Sequence, residues 1–270
     1  MKAARFDYVK ATTCAEAVSL LAQSDGMGKL VAGCQSLGPM LNLRLARPKL
    51  LVDLGKIESL KGVADEGDVW RIGASVTHAE LEDRPLVDCA PLAQVARGVA
   101  YRSVRNRGTV GGSLAHADPA ADWPLALAAL NANVLMVGPK GEREIGAAQF
   151  TRSAFATVLA DDEIVESVRV PKLSAGARWG YYKFCRKTGE FPDAAAAVLL
   201  DPQRRVARLF VGALDRAPQP LDSVARALAE QGVLPDEVVD AALERVAPGM
   251  SPAARKLRAT AVRRAIAQVL

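Results

Sequence analysis

The sequence is short of aromatic residues, of histidine and of long apolar runs, and each shortage removes a class of function. Aromatics make up 5% of the 270 residues and no long basic block occurs, so the stacking platforms and basic faces of nucleic-acid binders are missing despite a net charge of +5. Only two histidines are present, His78 and His116, and no G-x-S-x-G elbow accompanies them, which argues against a serine hydrolase. The four cysteines, Cys14, Cys34, Cys89 and Cys185, form no C-x-x-C pair and have no histidine at ligand spacing. That argues against zinc, against an iron–sulfur cluster held by this chain and against a disulfide framework. No stretch approaches the roughly 18–20 apolar residues of a membrane span. The opening MKAARFDYVKATT lacks the apolar core of a signal peptide, so a cytoplasmic protein is expected. The nucleotide fingerprints G-x-G-x-x-G and G-x-x-x-x-G-K-[ST] are absent too.

What is present is an ordinary globular composition, 50% hydrophobic and 24% charged, long enough for one large domain or two modest ones. FDYVKA, KLVAG and KLLVDL read as strands separated by helical stretches. Thr13 with Glu16 makes a capping box for the first helix, and a second helix is expected through MLNLRLA up to Pro48. The first fifty-odd residues thus predict β-α-β-α-β. DVWRIGAS predicts a strand, Thr77 with Glu80 a second capping box, and APLAQVARGVA a helix packing through Leu92, Val95 and Val99. Pro124 marks a helix start before LALAALNA. ANVLMVG and EREIGAA form a hairpin, and DEIVESVRVP a strand ended by Pro171. Beyond it the texture changes to a three-stranded antiparallel sheet, GYYKFCRK, AAAAVLLD and RRVARLFVGAL, followed by three helices. The last helix opens with Ser251 as cap and Pro252 behind it.

Two stretches carry the functional signal. KLVAGCQSLGPM, residues 29–40, runs from a strand through Gly33 to Ser36, a possible helix cap. RNRGTVGGSLAHADPAAD, residues 105–122, holds Gly108, Gly111 and Gly112 with the hydroxyls of Thr109 and Ser113. Small residues before a helix start let several backbone N–H groups converge on one anion. Two such loops could hold one diphosphate between them, although a Gly-Gly pair by itself is more often a turn.

AGCQSLGPMLNLRLARPKLLVDL resembles the AGGxSLxPxxxxRLxxPxxLVD signature of FAD-binding medium subunits of molybdenum hydroxylases. VRNRGTVGGSLAHADPAADWPLALAALNA resembles their second signature, RNxGTxGGSLAxADPAADxP, and the likeness runs over nearly the whole chain. The family includes the medium subunit of aerobic carbon monoxide dehydrogenase and the flavin domain of xanthine dehydrogenase. The resemblance implies an α+β, vanillyl-alcohol-oxidase-type (PCMH-type) fold: FAD-binding subdomains at residues 1–55 and 56–171, then a C-terminal domain of antiparallel sheet and helices at 172–270. It implies that Ala32, Gly33, Cys34, Gln35 and Ser36, flanked by Lys29, Leu30, Val31 and Leu37, wrap the FAD diphosphate. Thr109, Gly111, Gly112 and Ser113, with Ala117 and Ala121 beyond them, would close the other side, and Asp122 would bond the sugar-alcohol chain. Leu159 matches the position whose backbone meets the pyrimidine end of the flavin. Lys183 matches a flavin-proximal lysine, and Phe191 stands where relatives carry a tyrosine against the ring.

The function implied is an oxidoreductase subunit: FAD on this chain takes electrons from [2Fe–2S] clusters on a small subunit and passes them to an external acceptor. Molybdopterin resides on a large subunit, and the assembly is a dimer of heterotrimers. A free-standing flavin oxidase or reductase, or a non-catalytic subunit that has lost FAD, are the alternatives. Three departures stand out: Cys34 replaces a glycine, Gln35 a histidine and Phe191 a tyrosine. A Cβ at position 34 requires a negative φ.

Other residues read more plainly. Asp118 is expected as a turn residue and Asp122 as a functional one. His78 is expected at the surface; His116 reads equally as a ligand contact or a solvent-facing loop histidine. Cys34 is expected to be small and buried. Arg44 and Arg47 suggest salt bridges at a helix end. The arginines of the last helix are expected on its outer face, opposite Leu257, Ala261, Val262, Ile266 and Val269.

Overall fold

A computed structural model describes residues 2–232 and 236–270. The first unit follows the expected order: β1 (Asp7–Lys10), α1 (Cys14–Ala22), β2 (Gly28–Val31), α2 (Leu37–Asn42) and β3 (Leu50–Asp53). The strands pair in parallel in the order β1-β3-β2, because each helix must carry the chain back across the sheet. Thr13 caps α1 by accepting from the Glu16 N–H at 3.1 Å, but the return arm differs from a capping box: Glu16 accepts from Thr12 instead. The second helix stops well short of Pro48. Arg44 turns left-handed at φ 57 and the Leu45 N–H reaches back to the Met40 carbonyl, closing the helix early.

The middle of the chain is built on a five-stranded antiparallel sheet of order β4-β5-β10-β6-β7. Its strands are β4 (Val63–Asp65), β5 (Val69–Gly73), β6 (Asn133–Gly138), β7 (Gly141–Gly146) and β10 (Ile164–Pro171). Between β5 and β6 the chain makes α3 (His78–Asp83), α4 (Ala90–Gly98), α5 (Arg102–Arg105), α6 (Val110–His116) and α7 (Asp122–Ala129). Between β7 and β10 lie α8 (Ala147–Phe150) and a small hairpin, β8 (Thr151–Ser153) with β9 (Ala156–Thr157). The Thr77–Glu80 capping box is complete. The glycine-rich stretch is not wholly an open loop: Val110–His116 is helix α6, capped by the Thr109 hydroxyl and anchored by buried Val110 and Leu114. Helix α7 starts at Asp122, ahead of Pro124, and is buried along its length.

The C-terminal sheet has one strand more than expected. To β11 (Arg178–Phe184), β12 (Ala194–Asp201) and β13 (Val206–Gly212) it adds the two-residue edge β14 (Gln219–Pro220). Pro220 is tolerated there because an edge position needs no donor on one side. Helices α9 (Asp222–Gln231), α10 (Asp236–Val246) and α11 (Pro252–Ile266) cover one face and α7 the other. Side chains alternate across the pleat of β12: Ala195, Ala197 and Leu199 join the large central core, while Ala194, Ala196, Val198 and Leu200 join the core under the helices.

The arginines of α11 do not form a solvated face. Arg255 pairs with Glu244 and Arg263 with Asp240, Arg258 donates to the Ala213 carbonyl, and only Lys256 and Arg264 among these cations are exposed. Leu257 is half-buried, and Ala261, Val262, Ile266 and Val269 are buried as expected. Arg44 and Arg47 donate to the backbone carbonyls of Lys2 and Arg44 rather than forming salt bridges. No helix among the described residues is long and apolar enough to cross a membrane.

Candidate functional site

The segment after β2 leaves an unusual amount of backbone uncommitted. From Gly33 through Leu37 no N–H has a hydrogen-bond partner among the described residues. Ser36 flanks α2 without bonding any amide of its own helix, so its hydroxyl is also unspent and it is not the cap the sequence suggests. The conformation that creates this row includes a left-handed residue, Cys34, at φ 60. The expected negative φ is therefore wrong, and a non-glycine here costs about 1–2 kcal/mol. The side chain is half-buried rather than buried: it packs beside Val31, Leu41 and Leu51, with Sγ 3.4 Å from where a Cβ on Gly38 would stand. The Gln35 side chain is exposed and donates to the Gly33 carbonyl at 3.3 Å. Lys29 is exposed on β2, with Leu30 and Ala32 half-buried and Val31 in the core.

The segment leading into helix α6 stands directly against this row, and α6 itself lies beside Ala32. A side chain on Gly33 would run into the carbonyl of Arg107 and into Gly108 Cα. A Cβ on Gly112 would lie 4.0 Å from Ala32 Cβ. The two glycine stretches, some seventy residues apart in sequence, are thus in contact, and Gly112 is exposed at their junction. Their chemistry differs from the symmetrical picture of two amide nests. In α6 the N–H groups of Val110, Gly111, Gly112 and Ser113 are taken by Val76, Ala74 and Thr109. What this side offers is the bare Cα of Gly112 and the Ser113 hydroxyl, which has no partner among the described residues.

His78 supports this junction from below, and it is buried at 4% exposure, not at the surface. Its Nδ1 accepts from Trp123 Nε1 at 3.0 Å, its N–H donates to the Gly108 carbonyl at 3.0 Å, and Nε2 lies 2.8 Å from where a Cβ on Gly108 would be. Burial, reinforced by the Arg105 charge, pushes its pKa down to about 4. The bond from Trp123 requires an unprotonated Nδ1, which a neutral ring supplies. No local pattern around His78 marks this, because the partner is on α7.

Next to Trp123, Asp122 is buried and its Oδ1 accepts from Tyr181 Oη at 2.6 Å and Lys183 Nζ at 2.8 Å. Lys183 also donates to the Gly98 carbonyl at 2.8 Å. Tyr181 was missed in the sequence; its pKa is raised by complete burial and by the Asp122 charge, so it stays a neutral donor. Asp118 accepts from the Ala120 N–H at 2.9 Å, the turn role expected of it. His116 is not in a loop: it ends α6, half-buried against Phe155. Ala117 is buried and left-handed at φ 52, and its carbonyl accepts from the Phe155 N–H at 2.8 Å. That bond brings the segment carrying Leu159 up to the end of α6. Leu159 itself is half-buried against the central core. Ala121 flanks α7 without a side-chain cap. Phe191 is 61% exposed on the β11–β12 connection and makes no ring contact to the others among the described residues.

Residues 4–173 match the family described as the FAD binding domain in molybdopterin dehydrogenase. The chain belongs to this family. It is 38% identical over 198 residues to the carbon monoxide dehydrogenase medium chain of Hydrogenophaga pseudoflava, covering 73% of this chain and 69% of that one. It is 39% identical over 202 residues to the nicotine 6-hydroxylase medium subunit of Paenarthrobacter nicotinovorans, covering 74% and 70%. A solved structure of the Hydrogenophaga carbon monoxide dehydrogenase superposes with a TM-score of 0.91 at 32% identity, over 100% of this chain and 98% of that chain. The site's donor set fits the dinucleotide that gives the family its name. A pyrophosphate is an anion that needs converging donors and no intruding Cβ. The unpartnered amides from Gly33 to Leu37 supply donors, and the bare surface of Gly112 beside them leaves room for the anion.

Proposed function

We propose that this chain binds FAD and is the electron-transfer subunit of a heterotrimeric molybdenum hydroxylase. The carrying observation is the row of unpaired amides from Gly33 to Leu37, set against the side-chain-free face of α6 at Gly112. In this reading the fold is of the vanillyl-alcohol-oxidase type, with FAD between subdomains 1–55 and 56–171 and a C-terminal domain at 172–270. Bound FAD would supply the redox chemistry, accepting electrons from iron–sulfur clusters on a small partner subunit and yielding them to an external acceptor. Molybdopterin would sit on a large subunit, in a cytoplasmic dimer of heterotrimers.

The chain's own residues bind and orient. The amides from Gly33 to Leu37 and the hydroxyls of Ser36 and Ser113 would hold the diphosphate. Asp122 keeps Oδ2 free of any partner among the described residues, so it can accept from the sugar-alcohol chain while Oδ1 fixes Lys183. Lys183, anchored by two acceptors, holds a positive charge at a fixed point beside α4. Phe191 presents an exposed ring but no hydroxyl. The Cys34 side chain packs with the first unit's core, which leaves the cradle clear for the anion. The test is direct: the purified chain, or the complex carrying it, should be yellow with flavin absorbance between about 370 and 450 nm, and should take up FAD after its removal. A colourless protein that cannot be reconstituted would overturn the proposal.

A further inference from the structure

The turn that carries Leu159 is held in an unusual way. Arg143 on β7 forms a two-pronged ion pair with Glu163, Nε to Oε1 at 2.6 Å and Nη2 to Oε2 at 2.5 Å. The pair also grips the backbone on either side of Leu159. Arg143 Nη2 donates to the Val158 carbonyl at 2.8 Å, and Glu163 Oε2 accepts from the Ala160 N–H at 2.8 Å. The remaining groups nearby are committed as well: the Val158 N–H to Phe150, the Leu159 N–H to Thr157 Oγ1 at 3.2 Å, and the Ala160 carbonyl to the Glu163 N–H at 3.1 Å. From Val158 to Ala160 one backbone group alone has no partner among the described residues, the Leu159 carbonyl. The same segment is tied to the end of α6 through Phe155 and Ala117.

We infer that Arg143 and Glu163 are positioning residues that clamp this turn so that the Leu159 carbonyl is presented as a fixed hydrogen-bond acceptor to the imide N–H of the flavin ring. The inference rests on the FAD-binding reading above and deepens it. A surface ion pair contributes little by itself. This one is different in kind, because both partners spend their remaining hydrogen bonds on backbone flanking one unsatisfied carbonyl. A preorganised acceptor loses less entropy on binding than a mobile one, so removing the clamp weakens binding without removing a contact to the ligand.

The experiment compares FAD with 3-methyl-FAD, whose imide nitrogen carries a methyl group and cannot donate. Binding is followed by flavin fluorescence quenching on the full chain, wild type against Arg143→Met and Glu163→Gln. Wild type should prefer FAD by roughly tenfold, the worth of one hydrogen bond. Arg143→Met should lose most of that preference while still binding both flavins, with an altered visible spectrum for bound FAD. Glu163→Gln keeps an acceptor for the Ala160 N–H and should fall between. Unchanged discrimination in Arg143→Met would overturn the clamp while leaving FAD binding intact. So would equal loss of affinity for both flavins together with a lowered unfolding temperature of the FAD-free chain, which would mark the pair as a structural tie of the turn. Failure of wild type to bind either flavin would instead overturn the FAD reading.

Discussion

Acid should destabilise this protein through one buried histidine. His78 has an ordinary pKa of 6.5 when exposed and about 4 in the fold. As pH falls, the unfolded chain therefore binds this proton before the native chain does. The stability contributed by the neutral ring is complete above pH 6.5 and is lost as pH drops toward 4. The slope approaches about 1.4 kcal/mol per pH unit, giving about 2 kcal/mol lost by pH 5 and about 3 kcal/mol by pH 4. Structurally, the proton must land on Nδ1, where it displaces the bond from Trp123 and leaves a charge beneath Gly108 near Arg105. Carboxylates elsewhere also titrate in this range, so the informative quantity is a difference. His78→Gln keeps an acceptor for Trp123 and cannot take up the proton. Denaturant unfolding of wild type and His78→Gln at pH 7, 6, 5 and 4 should show curves that converge or cross as the wild type loses its extra 2–3 kcal/mol, about the sum worked above. Parallel pH dependences would refute the assignment of a buried, neutral His78.

Other consequences are open to the same kind of measurement. Gly112→Val should abolish FAD retention, because its side chain would fill the exposed junction beside Ala32, and circular dichroism should stay near native although the Thr109 cap, 2.8 Å from the new Cβ, has to shift. Full flavin in that variant would misplace the diphosphate site. Asp122→Ala strands the Lys183 ammonium and the Tyr181 hydroxyl, and should cost about 3 kcal/mol in denaturant unfolding. Cys34→Gly should keep FAD and leave the unfolding temperature nearly unchanged, since relief of about 1 kcal/mol of left-handed strain offsets lost packing against Val31 and Leu41.

Much of the scaffold was legible because its signals are local. The apolar run KLLVDL, the hairpin of ANVLMVG with EREIGAA and the Ser251-Pro252 cap each act within a few residues, and each element formed where expected. Two long motifs located both glycine stretches. The errors came from interactions across the fold. The glycines of α6 predict a loop because glycine is a poor helix former; the cap at Thr109 and buried Val110 and Leu114 overrule that preference. The burial of His78 depends on Trp123, forty-five residues on, and the role of Tyr181 on Asp122 across a sheet. The positive φ of Cys34 has no mark among its sequence neighbours, since the backbone of Arg107 and Gly108 packs against Gly33 where β2 runs into α2.

The alternating strand β12 has a consequence for anyone wishing to dissect the molecule. Its odd-numbered side chains furnish one oily interior and its even-numbered ones another, so it behaves as a party wall between two rooms. Cutting the chain at residue 172 would leave the front room without its back panel, exposing Trp123, Leu125 and their neighbours on α7 to water. A truncated cofactor-binding fragment should therefore aggregate, and the terminal hundred residues are better regarded as part of the flavin half's foundation than as an appendage.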